Sequence, residues 1–400
     1  MFSFQARLRA LGVSICATAL AWGPFTAQAQ VPEYSDAVQQ ANGQTVFFNA
    51  WGGDERINAY IAWAGDRLAE DHGIELRHVK LSNTADAVAR VRAEVQSGLS
   101  DDGGSVDLIW INGENFAAMK REGLLFGPFA PKLPNMALVD TQARPTTVMD
   151  FTIPTDGLES PWGMAQFNFL ADTALVPATA FSDLDALAQW AQDNPGRFSY
   201  PLPPDFLGST FLKQILVEKV DADFSKAFDG DASQFAPVFA YLDDLHPNLW
   251  RQGTRFPASG PRLRDLLANG EVDVALSFNP SEAASLVLND EVAPTVQALG
   301  LGTGTIANSH FVAIPVNASA HEAAMVAANF LLSPQAQARK ASLTYWGDPT
   351  VLSLDRLDDA GRALFAAEPT GNNDIGPALT EPDPSWMAAL EAAWEARYGS

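Results

Sequence analysis

The sequence is almost without cysteine and is poor in basic residues. Its single cysteine, Cys16, lies near the N-terminus, so the rest of the chain can form neither a disulfide, nor a thiolate metal site, nor a cysteine-based active site. Only 25 lysines and arginines stand against 48 aspartates and glutamates, which gives a formal net charge of −23. A field of that sign repels phosphate backbones and anionic membrane surfaces. The composition therefore argues against nucleic acid as a partner.

Signatures of common hydrolases are also missing. The sequence has no His-Glu-x-x-His zinc motif and no Gly-x-Ser-x-Gly nucleophile elbow, and its five histidines are scattered. Paired carboxylates that cleave glycosidic bonds are recognised by their separation in the fold, which a sequence does not give. A secreted hydrolase with a carboxylate-based active site therefore stays open as the alternative to a binding protein. No motif implies a cofactor or a bound metal.

The N-terminus has the three regions of a secretory signal. Arg7 and Arg9 precede an apolar stretch over residues 10–25, and Ala27-Gln28-Ala29 follows it. The apolar stretch is interrupted by glycine and proline and is shorter than the roughly 20 residues that a membrane-spanning helix needs. We therefore predict that residues 1–29 are a cleaved signal peptide and that the mature protein is secreted into the periplasm.

Along the remaining chain, apolar runs of strand length alternate with stretches of helical periodicity. We predict strands over 45–50, 74–79, 106–111, 162–169, 272–278 and 310–315, and helices over 55–72, 85–97, 115–122, 184–193, 211–219 and 261–269. Such alternation is typical of a mostly parallel sheet covered by helices on both faces, an α/β fold. The chain is also longer than one hydrophobic core usually organises, which predicts two lobes.

A segment near the C-terminal end carries a family resemblance. The runs Val316-Asn317-Ala318-Ser319-Ala320-His321-Glu322 and Ala328-Asn329-Phe330-Leu331-Leu332-Ser333-Pro334 resemble the late helix pair of bacterial extracellular solute-binding proteins. Periodicity alone would support only an amphipathic helix capped at Ser319 and ended before Pro334. The runs 47–53 and 106–110 also stand where this family has its first and third strands. The resemblance is to family 1-like binding proteins of ABC importers, near the thiamine, polyamine and iron binders.

The resemblance implies a type II periplasmic-binding-protein fold, with mixed sheets, two lobes and a ligand cleft between them. We assign 44–161 plus 309–345 to the first lobe and 165–305 plus 348–400 to the second. Crossover segments are expected near 161–166, 306–310 and 345–349. The implied function is capture of a small polar solute by a monomeric, non-enzymatic receptor. The receptor would deliver the solute to an ABC permease and meet the ATPase only indirectly.

A cleft of this kind uses aromatic, amide, hydroxyl and a few charged groups at strand ends and turns. The residues that satisfy this by position are Trp51, Gly52, Gly53, Asn112, Glu114, Trp162, Ser209, Thr210, Asn279, Asn308, Trp346 and Asp348. For each of the aromatic residues, packing in a lobe core is the alternative role.

The charge of the ligand stays open at this point. Aromatic faces near carboxylates favour a cationic or heteroaromatic solute, for which thiamine-like and polyamine-like molecules are examples. Against this, a turn at Gly208-Ser209-Thr210 before a helix would suit phosphate or sulfate. Ferric iron is disfavoured because the tyrosines are scattered and form no neighbouring pair.

Overall fold

The computed structural model describes residues 31–99, 103–371 and 375–399. The signal peptide predicted for 1–29, with Cys16, lies outside the described residues. Within the described ranges, no helix combines the length and the apolar character that crossing a bilayer requires.

Helices and strands alternate along the chain, as the periodicity predicts. The helices are α1 Tyr34–Gln40, α2 Glu55–His72, α3 Thr84–Gln96, α4 Gly113–Arg121, α5 Leu184–Asp193, α6 Phe206–Lys219, α7 Ala236–Leu245, α8 Gly260–Ala268, α9 Glu282–Leu288, α10 His321–Leu331, α11 Pro334–Ala341, α12 Asp359–Ala366 and α13 Pro384–Tyr398. The strands are β1 Thr45–Trp51, β2 Glu75–Leu81, β3 Leu108–Ile111, β4 Met149–Asp150, β5 Ile153–Pro154, β6 Glu159–Gln166, β7 Asn168–Asp172, β8 Val274–Ser277, β9 Val296–Leu299, β10 Thr305–Ala313 and β11 Ala378–Thr380.

A mixed sheet has the strand order β11-β10-β3-β1-β2, and β6 pairs with β10. Its strands β1, β2 and β3 belong to the first lobe, whereas Leu379 of β11 packs on the core of the second lobe. β1 runs parallel to both β2 and β3, whereas β10 runs antiparallel to β3 and to β6. The second lobe has a smaller sheet in the order β8-β7-β9, in which both pairings are antiparallel. The fold is therefore the expected two-lobed α/β type, with mixed sheets.

Helix α2 illustrates how local sequence sets the elements. The side chain of Asp54 accepts the backbone N–H of Arg56 at 2.8 Å, which caps the helix. Gly73 ends the helix in a left-handed conformation, at φ +66°. The apolar face between these ends, including Ile61 and Leu68, is buried in the first lobe. This agrees with the helix predicted from the sequence.

The two lobes are joined where β6 and β10 cross between them. The sequence predicts one strand over 162–169, but the structure divides it into β6 and β7 at Phe167. The N–H of Phe167 donates to the carbonyl of Ile306, and the N–H of Gln166 donates to the carbonyl of Phe278 in the second lobe. The strand thus changes its pairing partner at this residue, which is why it leaves one sheet and enters the other.

The C-terminal region departs from the predicted lobe boundary. Residues 348–400 were assigned to the second lobe, but Val351, Leu352, Leu357 and Phe365 are buried in the core of the first lobe. Trp346 packs in the same core, so 345–349 is not a crossover. The chain passes to the second lobe only after α12, because the apolar residues before that point pack on the first lobe. Helix α13 then joins the core of the second lobe.

Candidate functional site

A cleft of about 910 Å³ lies between the lobes. The first lobe contributes the ends of β1 and β3 and the start of α4, and the second lobe contributes the starts of α6 and α8 and the turn after β8. Most of the residues that the sequence singled out line this cleft: Trp51, Gly52, Gly53, Asn112, Glu114, Ser209, Thr210, Asn279, Trp346 and Asp348.

Two of the predicted residues lie behind the cleft wall. Trp162 is fully buried in the first lobe, with its ring centroid 5.6 Å from that of Trp346. Asn308 is buried in β10, and its amide donates to the carboxylate of Glu381 at 2.8 Å. Both side chains contact residues that support the cleft, but neither lines it.

The glycines after β1 allow a close approach of side chains at the cleft edge. A Cβ atom on Gly52 would lie 2.6 Å from the Cβ of Lys80, and a Cβ on Gly53 would overlap the ring of Trp51. The indole therefore lies directly against the backbone of Gly53. A side chain at either position would push aside groups that line the cleft.

The segment Gly208-Ser209-Thr210 is helical and not a turn, which corrects the interpretation from sequence. Helix α6 begins at Phe206 with Asp205 as its cap, and the Asp205 carboxylate accepts the N–H groups of Leu207 and Gly208 at 3.0 and 3.4 Å. Burial raises the pKa of Asp205 despite these hydrogen bonds. Because the Asp205 carboxylate already accepts the N–H groups of Leu207 and Gly208, these two amides are not available to the oxyanion suggested there.

The floor of the cleft is rich in carboxyl groups. The hydroxyl of Ser209 donates to Glu391 on α13, and Glu114 on α4 lies near enough for its charge to act on Glu391. Burial raises the pKa of Glu391; the charge of Glu114 reinforces this change, and the Ser209 hydrogen bond and the charge of Lys213 oppose it. Among the residues that the structure describes, neither Glu114 nor Glu391 has a lysine or arginine within ion-pair distance. Both therefore face the cleft without an ion pair of their own, and the charge of Lys213 offsets that of Glu391 only in part.

Lys213, the cation whose charge acts on Glu391, is ion-paired with another carboxylate. Its Nζ atom lies 2.5 Å from Glu381, and both side chains are buried. The same ammonium lies 4.5 Å from the ring centroid of Phe151, which lines the cleft from the first lobe. Burial raises the pKa of Glu381, although Lys213 and Asn308 both oppose the change. The floor as a whole has more carboxyl groups than cations.

One wall of the cleft is formed by aromatic rings backed by a buried ion pair. Trp346 and Trp110 line the cleft at a centroid distance of 5.9 Å, and His310 stands edge-on to Trp110 at 5.2 Å. Behind them Lys340 pairs with Asp348. Burial lowers the pKa of Lys340; it also opposes ionisation of Asp348, but the charge of Lys340 holds the pKa of that carboxyl below its ordinary value.

Sequence reasoning missed several residues that line the cleft. These are Arg56, Lys80, Trp110, Phe151, Asp205, Phe206, Lys213, Arg264, Phe278, Glu282 and Glu391. Most of them lie within helices, where the sequence has no glycine or proline turn to mark a residue as cleft-facing. Among the described residues, no group of three or more histidine, cysteine or acidic side chains has a geometry that would hold a metal ion.

Comparison with protein families gives one match over most of the chain. A model of the bacterial extracellular solute-binding proteins matches residues 63–359. Protein YnjB of Escherichia coli strain K12 is 42% identical over 380 residues, which covers 94% of this chain and 96% of that protein.

Solved structures with the same fold have much lower sequence identity. A putative spermidine/putrescine ABC transporter protein from Listeria monocytogenes matches with a TM-score of 0.61 and 15% identity, over 88% of this chain and 98% of that one. A periplasmic thiamin binding protein matches with a TM-score of 0.62 and 16% identity, over 88% and 95%. The periplasmic protein AfuA of Actinobacillus pleuropneumoniae, with fructose-6-phosphate bound, matches with a TM-score of 0.60 and 14% identity, over 89% and 99%.

Proposed function

This chain belongs to the bacterial extracellular solute-binding proteins, the solute-binding components of ABC transporters, and we propose that its own solute is a small organic cation. The observation that carries the proposal is the pair of carboxylates without an ion-pair partner, Glu114 and Glu391, at the floor of the cleft. A thiamine-like or polyamine-like molecule would bring the missing positive charge.

Burying a charged group away from water costs free energy. A carboxyl group that is removed from water without a partner cation resists ionisation, and this is what the raised pKa of Glu391 reports. A cation bound between Glu114 and Glu391 would lower that cost and gain charge-assisted hydrogen bonds. An anion would meet the same carboxylates as like charges. The cleft floor therefore favours a positive group.

The aromatic rings in the cleft also favour a positively charged solute. Trp51, Trp110, Trp346, Phe206 and Phe278 all line the cleft. The face of an indole or phenyl ring attracts an ammonium or a cationic heterocycle, and it also stacks on a planar ring. The volume of about 910 Å³ is within the range that small-molecule sites usually have.

The structural neighbours are compatible with this solute class without deciding it. The Listeria protein is described as a spermidine/putrescine transporter component and another neighbour as a thiamin binder, but a third binds fructose-6-phosphate. All three share the fold at low sequence identity although their solutes differ, so the fold supports solute binding but not a particular solute. The preference for a cation therefore rests on the charged residues of this chain.

We propose binding without chemical change, by a periplasmic monomer that has lost residues 1–29. The receptor contacts the permease directly and reaches the ATPase only through it. A secreted hydrolase is the competing function, and recovery of the solute chemically unchanged after saturable, stoichiometric binding distinguishes the two.

The experiment is a binding screen with matched charge variants. Native mass spectrometry of freshly purified protein tests for a co-purified solute, and thermal-shift assays compare thiamine, spermidine and putrescine with fructose-6-phosphate. We expect a cation to raise the melting temperature. Isothermal titration should then show an affinity about tenfold to 100-fold lower for Glu114→Gln and Glu391→Gln, the range expected for lost charge-assisted hydrogen bonds.

Glu395→Gln is the matched control, since Glu395 is exposed on the same helix as Glu391, one turn further along. It should bind as the unchanged protein does. A solute that is an anion, or a cation that binds equally to all three variants, contradicts the proposed site.

A further inference from the structure

Two arginines reach across the cleft in opposite directions. Arg264, on α8 of the second lobe, has its Nη2 atom 3.0 Å from the carboxylate of Asp54 in the first lobe. Its other terminal nitrogen lies 2.6 Å from Glu282, which belongs to its own lobe. The three side chains are each about four-fifths or more buried, so solvent screens their interactions only in part. The guanidinium thus joins the lobes while being anchored in one of them.

Arg56 makes the reciprocal contact from the first lobe. Its Nη1 atom donates to the hydroxyl of Ser285 at 2.9 Å and lies 3.6 Å from the carboxylate of Glu291, and both residues belong to the second lobe. The Ser285 hydroxyl in turn donates to the carbonyl of Leu343 in the first lobe at 2.9 Å. Ser285 is therefore held from two sides by the opposite lobe.

We propose that Arg264 and Arg56 form a latch that favours the closed arrangement of the lobes through the protein's own contacts, independently of any solute. The two pairs join α2 to α8 and α2 to α9, so a hinge movement about β6 and β10 that opens the cleft at this edge must break them. Arg264 has protein partners on both terminal nitrogens, so the contacts of the latch are complete without a solute.

The latch has a consequence for solute capture. A receptor whose closed state is stabilised without solute spends less of its binding energy on closure, and the bound solute is released more slowly. This role does not depend on the charge of the solute, because the contacts of the latch are made directly between protein side chains: Arg264 with Asp54, and Arg56 with Ser285.

The test measures the distance between the lobes in protein that has been freed of solute by partial unfolding and refolding. The protein without residues 1–29, which has no cysteine of its own, carries spin labels at Ala89→Cys on α3 and Ala268→Cys on α8, both of which are exposed positions. Double electron–electron resonance then reports the populations of closed and open forms. We expect a major closed population that falls as the salt concentration rises from about 10 mM to about 1 M.

Two variants remove the interlobe pair from either side. Asp54→Asn removes the charge but keeps a side chain that caps helices well, and Arg264→Gln removes the guanidinium. Each should lower the closed-to-open ratio about tenfold, the factor expected for one charge-assisted hydrogen bond, and the double variant should fall no further than the larger single effect. Asp265→Asn, which removes a charge paired within α8 to Arg262, should leave the distances unchanged.

Other outcomes overturn the latch. A solute-free protein that is open, a closed population that does not respond to salt, or an opening caused by Arg264→Gln but not by Asp54→Asn would each show that the Asp54–Arg264 pair does not hold the lobes together. None of these results would bear on which solute binds at Glu114 and Glu391.

Discussion

The ammonium of Lys340 lies 4.3 Å from the ring centroid of Trp346, and Lys340 has no exposed surface. The cation is therefore buried directly behind an indole that lines the cleft, and it is neutralised by Asp348. A second indole, that of Trp162, lies 4.8 Å from the same ammonium. Cation–π attraction and the ion pair together hold the Trp346 ring in place at the wall of the cleft.

Replacing Gly163 by alanine should disrupt this arrangement. A Cβ atom at Gly163 would overlap Nζ of Lys340 and a carboxylate oxygen of Asp348. Because the pair is buried, it cannot move into solvent, and we expect the free energy of unfolding to fall by about 2–4 kcal/mol. Urea titration measures this loss of unfolding free energy. Gly65→Ala in α2 is the control: its Cβ would make only an ordinary contact at 3.4 Å with Leu76, so a similar loss in both variants would contradict the explanation.

Asp107 should be a main stabilising residue of the first lobe. One carboxylate oxygen accepts the N–H of Phe47 at 2.8 Å, and the other accepts the N–H of Ser319 at 2.7 Å and that of Ala320 at 3.0 Å. This is also why Ser319 does not cap α10: its hydroxyl donates to Asp107. The carboxylate thus ties β1 to the start of the late helix pair.

We expect Asp107→Asn to lower the free energy of unfolding by about 3 kcal/mol, since an amide presents its own N–H groups to buried donors. Chemical denaturation provides the measurement. The comparison is Asp86→Asn, an exposed carboxylate in the first turn of α3, which should change stability by no more than about 0.5 kcal/mol. Equal effects at the two positions would show that the buried hydrogen bonds contribute little.

The cleft shows which parts of a site a sequence can predict. Trp51 and Asn112 were found because each follows an apolar strand, and strand ends of this fold face the cleft. Glu391 and Lys213 were missed because they lie within helices, where nothing in the local pattern separates a cleft-facing residue from a surface one. Glu391 also reaches the cleft from the C-terminal helix, whose docking depends on contacts distant in sequence.

The lobe boundary near the C-terminus was wrong for a related reason. The family resemblance predicts a crossover near 345–349, but Val139 bridges to Leu352 and brings the chain back onto the first lobe. Such pairing joins residues more than 200 positions apart, and a single sequence does not contain that information. By contrast, the limits of α2 and α5 follow from local caps and were predicted closely.

His246 should make the stability of the second lobe depend on pH. Trp394 donates to the hydroxyl oxygen of Tyr200 at 3.1 Å, and the Tyr200 hydroxyl lies 2.7 Å from Nε2 of His246. The tyrosine can then donate to an unprotonated imidazole. Burial, opposed by the charge of Asp243, lowers the pKa of His246 from 6.5 to about 4.

The sign of the effect follows from proton binding. Between pH 6.5 and about 4 the unfolded chain protonates this histidine and the folded chain does not, so the stabilisation is complete above pH 6.5 and is lost as the pH falls towards 4. The loss amounts to about 3 kcal/mol. Urea titrations at pH 7.5 and 4.5 should show a decrease about 2 kcal/mol smaller in His246→Gln than in the unchanged protein. Parallel decreases would contradict the assignment.

Phe151 combines a left-handed backbone conformation with a buried aromatic ring. This backbone conformation is unfavourable for a residue with a Cβ atom. Its φ is +50° and its ring is 6% exposed, packed over Gly113, where a Cβ would lie 2.7 Å from the ring. Truncation of the ring in Phe151→Ala should lower the free energy of unfolding by about 3 kcal/mol. Glycine, however, adopts this conformation freely, so Phe151→Gly should be more stable than Phe151→Ala by about 1 kcal/mol in urea titrations.

The control for the Phe151 variants is Ala89→Gly at an exposed position of α3, where glycine should instead cost about 1 kcal/mol. If alanine equals or exceeds glycine at 151, the backbone there is not strained. A difference of the expected sign would mean that stability is given up at a residue that lines the cleft and meets Lys213 of the opposite lobe. Strain of this kind persists only where the surrounding contacts impose it, and here those contacts come from both lobes.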